Sequence, residues 1–244
     1  MEPRLDHVVV NVRDRLPEAA VRFAALGFTL TEPSRHTLGS MNRLALFPDH
    51  YLELLGIDPD AAKPRAELMR SALGLNAIVF ATADAAALHR DLAARGVPVE
   101  PPTDFSRPVA GAGEARFRTV HVAANAVPFG RIYFCQHFTP DLVWSAAAHA
   151  HANGAVAIAR ILIETRDPAA ADALYRALFE GADPARLGIE IRHGAHDRIA
   201  ALTFRAASLA VTRAALAGVR CRDEGDRLVV APEAAFGAQL SFIA

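Results

Sequence analysis

Three residues on strand-like stretches of this chain have side chains suited to holding a divalent cation: His7 in "LDHVVVNVRD", Glu53 in "YLELLGI" and His121 in "FRTVHVA". Imidazole nitrogens and carboxylate oxygens suit zinc, iron, manganese or nickel, and two imidazoles with one carboxylate form the facial set of non-haem iron sites. Strand alternation decides whether they meet. If Val8, Val10 and Val12 pack on a helix, then His7, Val9 and Asn11 face the other way, and with Leu52 and Leu54 on a helix, Tyr51, Glu53 and Leu55 turn inward. By the same parity Val120 and Val122 pack outward, Thr119 and His121 point in, and Tyr133, Cys135 and His137 share one face. The expected metal ligands are His7, Glu53 and His121, with Glu53 as the catalytic carboxylate.

Other polar residues would complete a pocket around them. The stretch "SRHTLGSMNRL" supplies His36, Asn42 and Arg43 to orient a ligand's oxygens, or to pack a loop and hairpin. Arg107 can clamp a carboxylate with its planar fork. Together with Asn11, Tyr51, Tyr133 and His137 these form the expected substrate-binding set. Cys135 reads as a small buried filler, because no basic partner can be placed beside it to form a thiolate. The histidines of "HAHANG", His149 and His151, read as a structural joint.

The elements that must position these residues follow a repeated order. Residues 5–12 are β-branched and read as a buried strand, "RLPEAAVRFAAL" as a helix stopped by Gly27, and "FTLTEP", "NRLALF" and "YLELLGI" as three further strands. After a short helical connector at "AELMRSAL" the grammar restarts with the strand "LNAIVFAT", a helix capped at Asp84 and stopped at Gly96, a strand at "VPVE", and the hairpin "ARFRTVHVA" and "GRIYFCQHF". Between them "PPTDFSRPVAGAGE" is too rich in proline and glycine for regular structure and reads as a long loop. The second half repeats the pattern through "AVAIARILIET", "DPAAADALYRALFE" and "LGIEIRH", then "RIAALTFRA", "ASLAVTRAALAG", "VRC", "DRLVVA" and "AQLSFIA". That makes four β-α-β-β-β units, the third lacking its hairpin. One such unit leaves a sheet face uncovered, so two pair into a half-open barrel with a concave inner surface.

Composition bounds the function. The 26 lysines and arginines nearly cancel 27 aspartates and glutamates without long blocks of either sign, so neither nucleic acid nor a membrane surface is an expected partner. A small molecule is. Two cysteines are too few for a disulfide framework, and the chain shows neither a signal-peptide pattern nor an apolar run of membrane-spanning length, which makes the cytoplasm the expected location.

With "LDHVVVNVRD", "LGFTLTEPSRHTLGSMNRLALF", "YLELLGI" and "FCQHFTPDLVW" followed by "HANGA", the sequence resembles the vicinal oxygen chelate superfamily, specifically its glyoxalase-like branch, kin to glyoxalase, bleomycin resistance and extradiol dioxygenase proteins. The resemblance spans roughly residues 4 to 165. It implies an α+β fold with residues 1–140 as a domain of two βαβββ units, 141–155 as a linker and 156–244 as a second, truncated domain. It further implies a divalent metal (zinc, iron, manganese or nickel) held from the first and fourth strands of paired units, which acts as a Lewis acid on a substrate with vicinal oxygens in a lyase, isomerase or dioxygenase reaction. A homodimer is left open. Two of the four ligand positions depart from the pattern, with Ala77 opposite His7 and Tyr133 opposite Glu53. That departure keeps two other readings in play, a non-catalytic cup that binds an antibiotic or metabolite and a degenerate member with an empty cavity.

Overall fold

The computed structural model describes residues 4–144 and 149–244. In chain order the first half holds β1 (Leu5–Arg13), α1 (Leu16–Ala25), β2 (Ser34–Arg35), β3 (Ser40–Leu46), β4 (Tyr51–Ile57), α2 (Glu67–Arg70), β5 (Gly74–Ala81), α3 (Ala85–Ala94), β6 (Thr103–Val109), β7 (Gly113–His121) and β8 (Arg131–His137). The second holds β9 (Ala155–Thr165), α4 (Pro168–Leu178), β10 (Ile189–His193), β11 (Arg198–Ala206), α5 (Leu209–Ala215), β12 (Cys221–Asp223), β13 (Arg227–Val230) and β14 (Gln239–Ile243). The linker residues 145–148 lie outside the described residues.

Local chemistry explains the elements. Leu16, Ala19, Ala20 and Phe23 repeat at helical spacing and form the buried stripe of α1, while the Asp84 side chain caps α3 by accepting the Ala87 N–H at 2.9 Å. Asp167 caps α4 in the same way through Ala170, at 3.0 Å.

Strands β1–β8 form one eight-stranded sheet in the order β2-β3-β4-β1-β5-β8-β7-β6, which is two βαβββ units joined along β1 and β5. Its edges are tied together: Thr37 N–H donates to the Ser106 carbonyl at 2.9 Å and Ser34 Oγ to the Pro108 carbonyl at 3.0 Å, so the sheet curls into a nearly closed barrel. The second half makes a six-stranded sheet, β10-β9-β11-β14-β13-β12. Its third unit is β9-α4-β10, with β10 parallel to β9 as β4 is to β1 and no hairpin between. This is the expected α+β architecture of paired units with a truncated third.

Three local expectations are corrected. The stretch 101–114 is not an irregular loop: β6 pairs with β7 from Thr103↔Thr119 to Val109↔Gly113, and Gly111 (φ 73°) and Gly113 (φ 110°) make the turn. Pro108 is tolerated because β6 is an edge strand, where a missing N–H leaves no partner wanting. The "VPVE" stretch contributes a single bridge, Val99 to Val122. Residues 28–33 are not a strand either. Phe28 turns into the core, Pro33 removes a donor, and only Thr31 reaches β3, accepting the Leu44 N–H on Oγ1 and donating its own N–H to the Leu44 carbonyl.

One apolar cluster runs across both halves, from Val8, Phe23 and Phe80 to Tyr175, Phe204 and Phe242. It covers the outer face of the barrel. A separate cluster, including Val9, Tyr51, Val79, Phe117 and Tyr133, lines the inside. A chain ending near residue 150 would expose the outer cluster at roughly 25 cal/mol per Å² of apolar surface. Such a chain is expected to aggregate or to lose its cooperative melt by calorimetry, and a well-behaved truncated protein would show instead that residues 1–140 fold as an independent domain.

Candidate functional site

Inside the barrel His7 and Glu53 come together, with Nε2 and Oε2 3.7 Å apart. Both side chains are buried, and each is fixed from behind. Asn42, on the neighbouring strand, donates its amide to Glu53 Oε1 at 2.7 Å, and Tyr51 stacks on the His7 ring at 4.4 Å. The other nitrogen of His7 lies 2.5 Å from a carboxylate oxygen of Asp6.

Asp6 is the residue that sequence parity places on the wrong face. The β1–β5 register breaks between Leu5 and His7, and this irregularity lets the Asp6 side chain turn back beside its neighbour. It is 1% exposed and also accepts from His137 Nε2 on Oδ1, 3.1 Å away. Burial pushes its pKa up, yet the hydrogen bonds from His137 and His7 outweigh it and hold the carboxyl well below the usual range. An ionised carboxylate only accepts, so His7 Nδ1 carries a proton, and in the neutral imidazole this makes Nε2 the acceptor that faces the cup. The Tyr133 hydroxyl, 3.1 Å from Nε2, therefore donates to it.

The cup around this pair is lined by His36, Asn42, Tyr51, Arg107, Thr119, His121 and Tyr133 among its polar residues, with Leu44, Leu55, Phe105 and Phe117 as apolar walls. Its enclosed part measures about 40 Å³, enough for a few waters or one ion. His36, with Nδ1 2.9 Å from Ser40 Oγ, is held at a pKa of about 4 chiefly by burial, and His121 at about 3 by burial and by the charges of Arg131 and Arg65. Both are neutral imidazoles near pH 7. Burial also pushes the Tyr133, Tyr51 and Cys135 protons to stay on. Cys135 thus remains an inert filler, as expected.

The expected residues divide accordingly. His7, Glu53, His36, Asn42, Tyr51, Arg107, Tyr133 and His121 line the cup. His121 stacks on Tyr133 at 4.4 Å, but its ring nitrogens do not converge with His7 and Glu53. Among the described residues, three ligand atoms within 4.8 Å of one another occur at Asp6, Cys135 and His137 alone. Asn11 faces inward but is committed to the connector, donating to the Leu68 and Ala72 carbonyls at 2.9 and 3.0 Å. Arg43 lies on the outer parity of β3 and comes within 4.0 Å of Glu32, while His137 sits behind the cup against Asp6 and Trp144.

Sequence reasoning missed Asp6, Arg65 and Arg131. Arg131 shares the parity of Tyr133 and was open to the same argument. Nothing in the sequence marked Arg65, which enters the cup from the connector. His151 proves structural, accepting the Thr29 N–H at 3.1 Å and packing edge-on to Phe28 and Phe47.

The glyoxalase-like domain family model matches residues 5–179. The chain belongs to that family. Three solved structures share the fold over nearly the whole chain at low identity. A hypothetical protein from Staphylococcus aureus superposes at TM-score 0.70 with 12% identity, covering 98% of both chains. A triple mutant of 4-hydroxymandelate synthase from Streptomyces coelicolor does so at 0.62 and 12%, covering 100% of this chain and 93% of that one. Homoprotocatechuate 2,3-dioxygenase from Brevibacterium fuscum, in an anaerobic complex with 3,4-dihydroxyphenylacetate, does so at 0.57 and 13%, covering 99% and 80%. No curated protein matches in sequence. The glyoxalase-like domain and the shared fold agree with the resemblance read from the sequence, and no described helix is long and apolar enough to cross a membrane.

Two outcomes follow from the geometry. Asp6→Ala leaves two imidazoles without their shared acceptor, and a destabilisation of about 3 kcal/mol in urea unfolding at pH 7 is expected. His36 binds a proton more weakly folded than unfolded, because its pKa falls from 6.5 to about 4. Its contribution to stability is therefore complete above pH 6.5 and is lost as pH falls toward 4, by at most about 3 kcal/mol. Urea midpoints measured from pH 7 to 4 are expected to fall less steeply in His36→Asn than in the wild type.

Proposed function

We propose that this glyoxalase-like protein is a cytoplasmic small-molecule enzyme of the lyase or isomerase type, in which His7 and Glu53 hold a divalent cation at the edge of the cup. The observation that carries the reading is the chain Asp6–His7···Glu53–Asn42. Each atom facing away from the cup has a supporting hydrogen bond, which turns Nε2 and Oε2 to the cup 3.7 Å apart, with the Tyr133 hydroxyl on Nε2 as the one group an ion would displace. Ligands at about 2.1 Å from one ion lie roughly 3.0–3.6 Å from each other, so a shift of a few tenths of an ångström seats it. A carboxylate behind the distal nitrogen is the support that metal-binding histidines ordinarily have.

When bound there, the cation supplies Lewis-acid polarisation of a substrate oxygen. The protein's own groups do the rest. Asp6 keeps the proton on His7 Nδ1, Tyr133 holds a hydroxyl proton beside the cup, and Arg107, buried over the Phe117 ring with Ser34 Oγ at 3.3 Å as its one hydrogen-bond partner among the described residues, offers its fork to a carboxylate. Phe105 and Phe117, stacked at 4.9 Å, exclude water from one wall. The ligand of the dioxygenase neighbour, 3,4-dihydroxyphenylacetate, carries adjacent oxygens and a carboxylate, and a molecule of that size would need the adjoining groove as well as the cup. A dioxygenase reaction is less well supported, because a facial triad needs a third protein ligand and His121 does not join the pair.

A second reading rests on Tyr133: its hydroxyl already satisfies His7 Nε2, as a metal-free binding cup would require. Titration with zinc, manganese, nickel and iron(II) separates the two. Binding tighter than millimolar is expected in the wild type, lost in His7→Ala with the circular dichroism spectrum retained, and weakened about tenfold in Glu53→Gln. If no ion binds the wild type more tightly than millimolar, the cup is metal-free.

A further inference from the structure

Beyond the cup lies a groove of about 410 Å³ that opens from it past Leu38, Arg65, Thr119 and His121, residues which line both spaces. Arg131 forms part of its floor. The side chain is held by one bond, Nε to Asn76 Oδ1 at 2.9 Å, and by its position 5.8 Å over the Tyr133 ring. Its Nη2 is buried with no hydrogen-bond partner. Among the described residues no carboxylate lies within 4 Å of it, whereas Arg65 beside it is paired with Glu67 at 2.6 Å. A guanidinium removed from water without a counter-charge is costly, and oxyanions relieve that cost bidentately.

Glu67 and Glu100 also line the groove, Glu67 being paired with Arg65, and the remaining surroundings fit such a ligand. His121, stacked on Tyr133 across the β7–β8 pair, makes no side-chain hydrogen bond among the described residues, and its neutral ring has an N–H to donate. Thr119 Oγ1 makes only a long contact of 3.5 Å to the Thr103 carbonyl and is available as a donor. Gly130 fixes where the guanidinium starts: its φ is 148°, and a Cβ there would lie 2.8 Å from the Asn76 carbonyl oxygen. The backbone can approach β5 this closely because no side chain intervenes.

We propose that Arg131, with His121 and Thr119, forms a second oxyanion subsite, so that the substrate carries two acidic groups, one taken by Arg107 in the cup and one by Arg131 in the groove. This rests on the reading of the cup as a small-molecule site and adds the substrate class to it. The second group is a carboxylate or a phosphate, since both present paired oxygens to a fork.

Calorimetric titration of the full chain with acetate, succinate, phosphate and phosphonoacetate tests the proposal and separates the two anions. In the wild type succinate or phosphonoacetate is expected to bind at least tenfold more tightly than acetate. Preference for succinate assigns a carboxylate to the groove, and preference for phosphonoacetate a phosphate. Arg131→Met is expected to abolish that preference while leaving acetate affinity within twofold, and Arg107→Met to weaken both. Arg131→Lys, which keeps the charge but not the fork, covers the case in which Arg131→Met fails to fold, and an intermediate preference is expected. If the wild type shows no preference for the two-acid probes, or if folded Arg131 variants keep it, the subsite does not exist. Manganese titration of the same variants is expected to be unchanged. Its failure in the wild type would overturn the cation at His7 and Glu53 without touching the anion preference.

Discussion

The buried carboxylate of Asp6 is the constraint on which the cup depends. A charge at 1% exposure has to be matched where it sits, and it is matched by ring N–H groups of His7 and His137 from two strands of different units. One interaction thereby does three things. It fixes the tautomer of His7, it ties β1 to β8 across the intervening β5, and it turns the lone pair of Nε2 to the interior, where Tyr133 and Glu53 meet it. The register irregularity in β1 is what makes this arrangement available, because regular alternation would have sent Asp6 to the helix-packed face.

A barrel that lines its interior with histidines, a carboxylate and arginines gives up apolar burial on that face, and the loss must be offset elsewhere. The outer face offsets it. There Phe28 meets Phe204 at 5.1 Å, Phe80 meets Phe179 at 4.7 Å, and the six-stranded sheet with α4 closes over β5 and β8. The truncation of the third unit is compatible with this role, since a covering sheet needs one packed face and no cavity of its own. His151 shows how tightly the halves are matched: a polar ring is accepted between Phe28 and Phe47 because the Thr29 N–H satisfies one of its nitrogens.

Much of this was legible in the sequence because strands of β-branched residues carry an unambiguous parity. Val8, Val10 and Val12 against Val9, and Leu52 and Leu54 against Tyr51 and Leu55, divide between the two apolar clusters as alternation requires, and His7 and Glu53 line the cup on the inner face. The failures are equally physical. Asp6 was hidden by a register break, which no count of residues reveals. The segment around Pro108 was hidden by composition, since proline and glycine mark loops on average yet are tolerated on an edge strand and in its turn. Asn11 had the correct face and the wrong role, because facing inward does not tell whether carbonyls of the connector lie within reach. Arg65 comes from a connector with no periodicity to read.

The charges that reach the cup are unevenly distributed, and this gives it a direction. Glu53 belongs to β4, with Asp6 behind His7 on β1, in the first unit, whereas Arg107 and Arg131 come from β6 and β8, in the second, and Arg65 joins them from the connector. His36 and His121, which would blur the division if protonated, are kept neutral by burial. In a space shielded from water such separated charges act on one another and on any solute with little screening. In the cup an anion is therefore drawn toward Arg107 on the second unit's side and away from Glu53 on the first, while the groove mixes both signs, Glu67 and Glu100 beside Arg65 and Arg131. Orientation of this kind costs no motion of the protein, because each group involved is already fixed by the strand, the pair or the stacked ring that holds it.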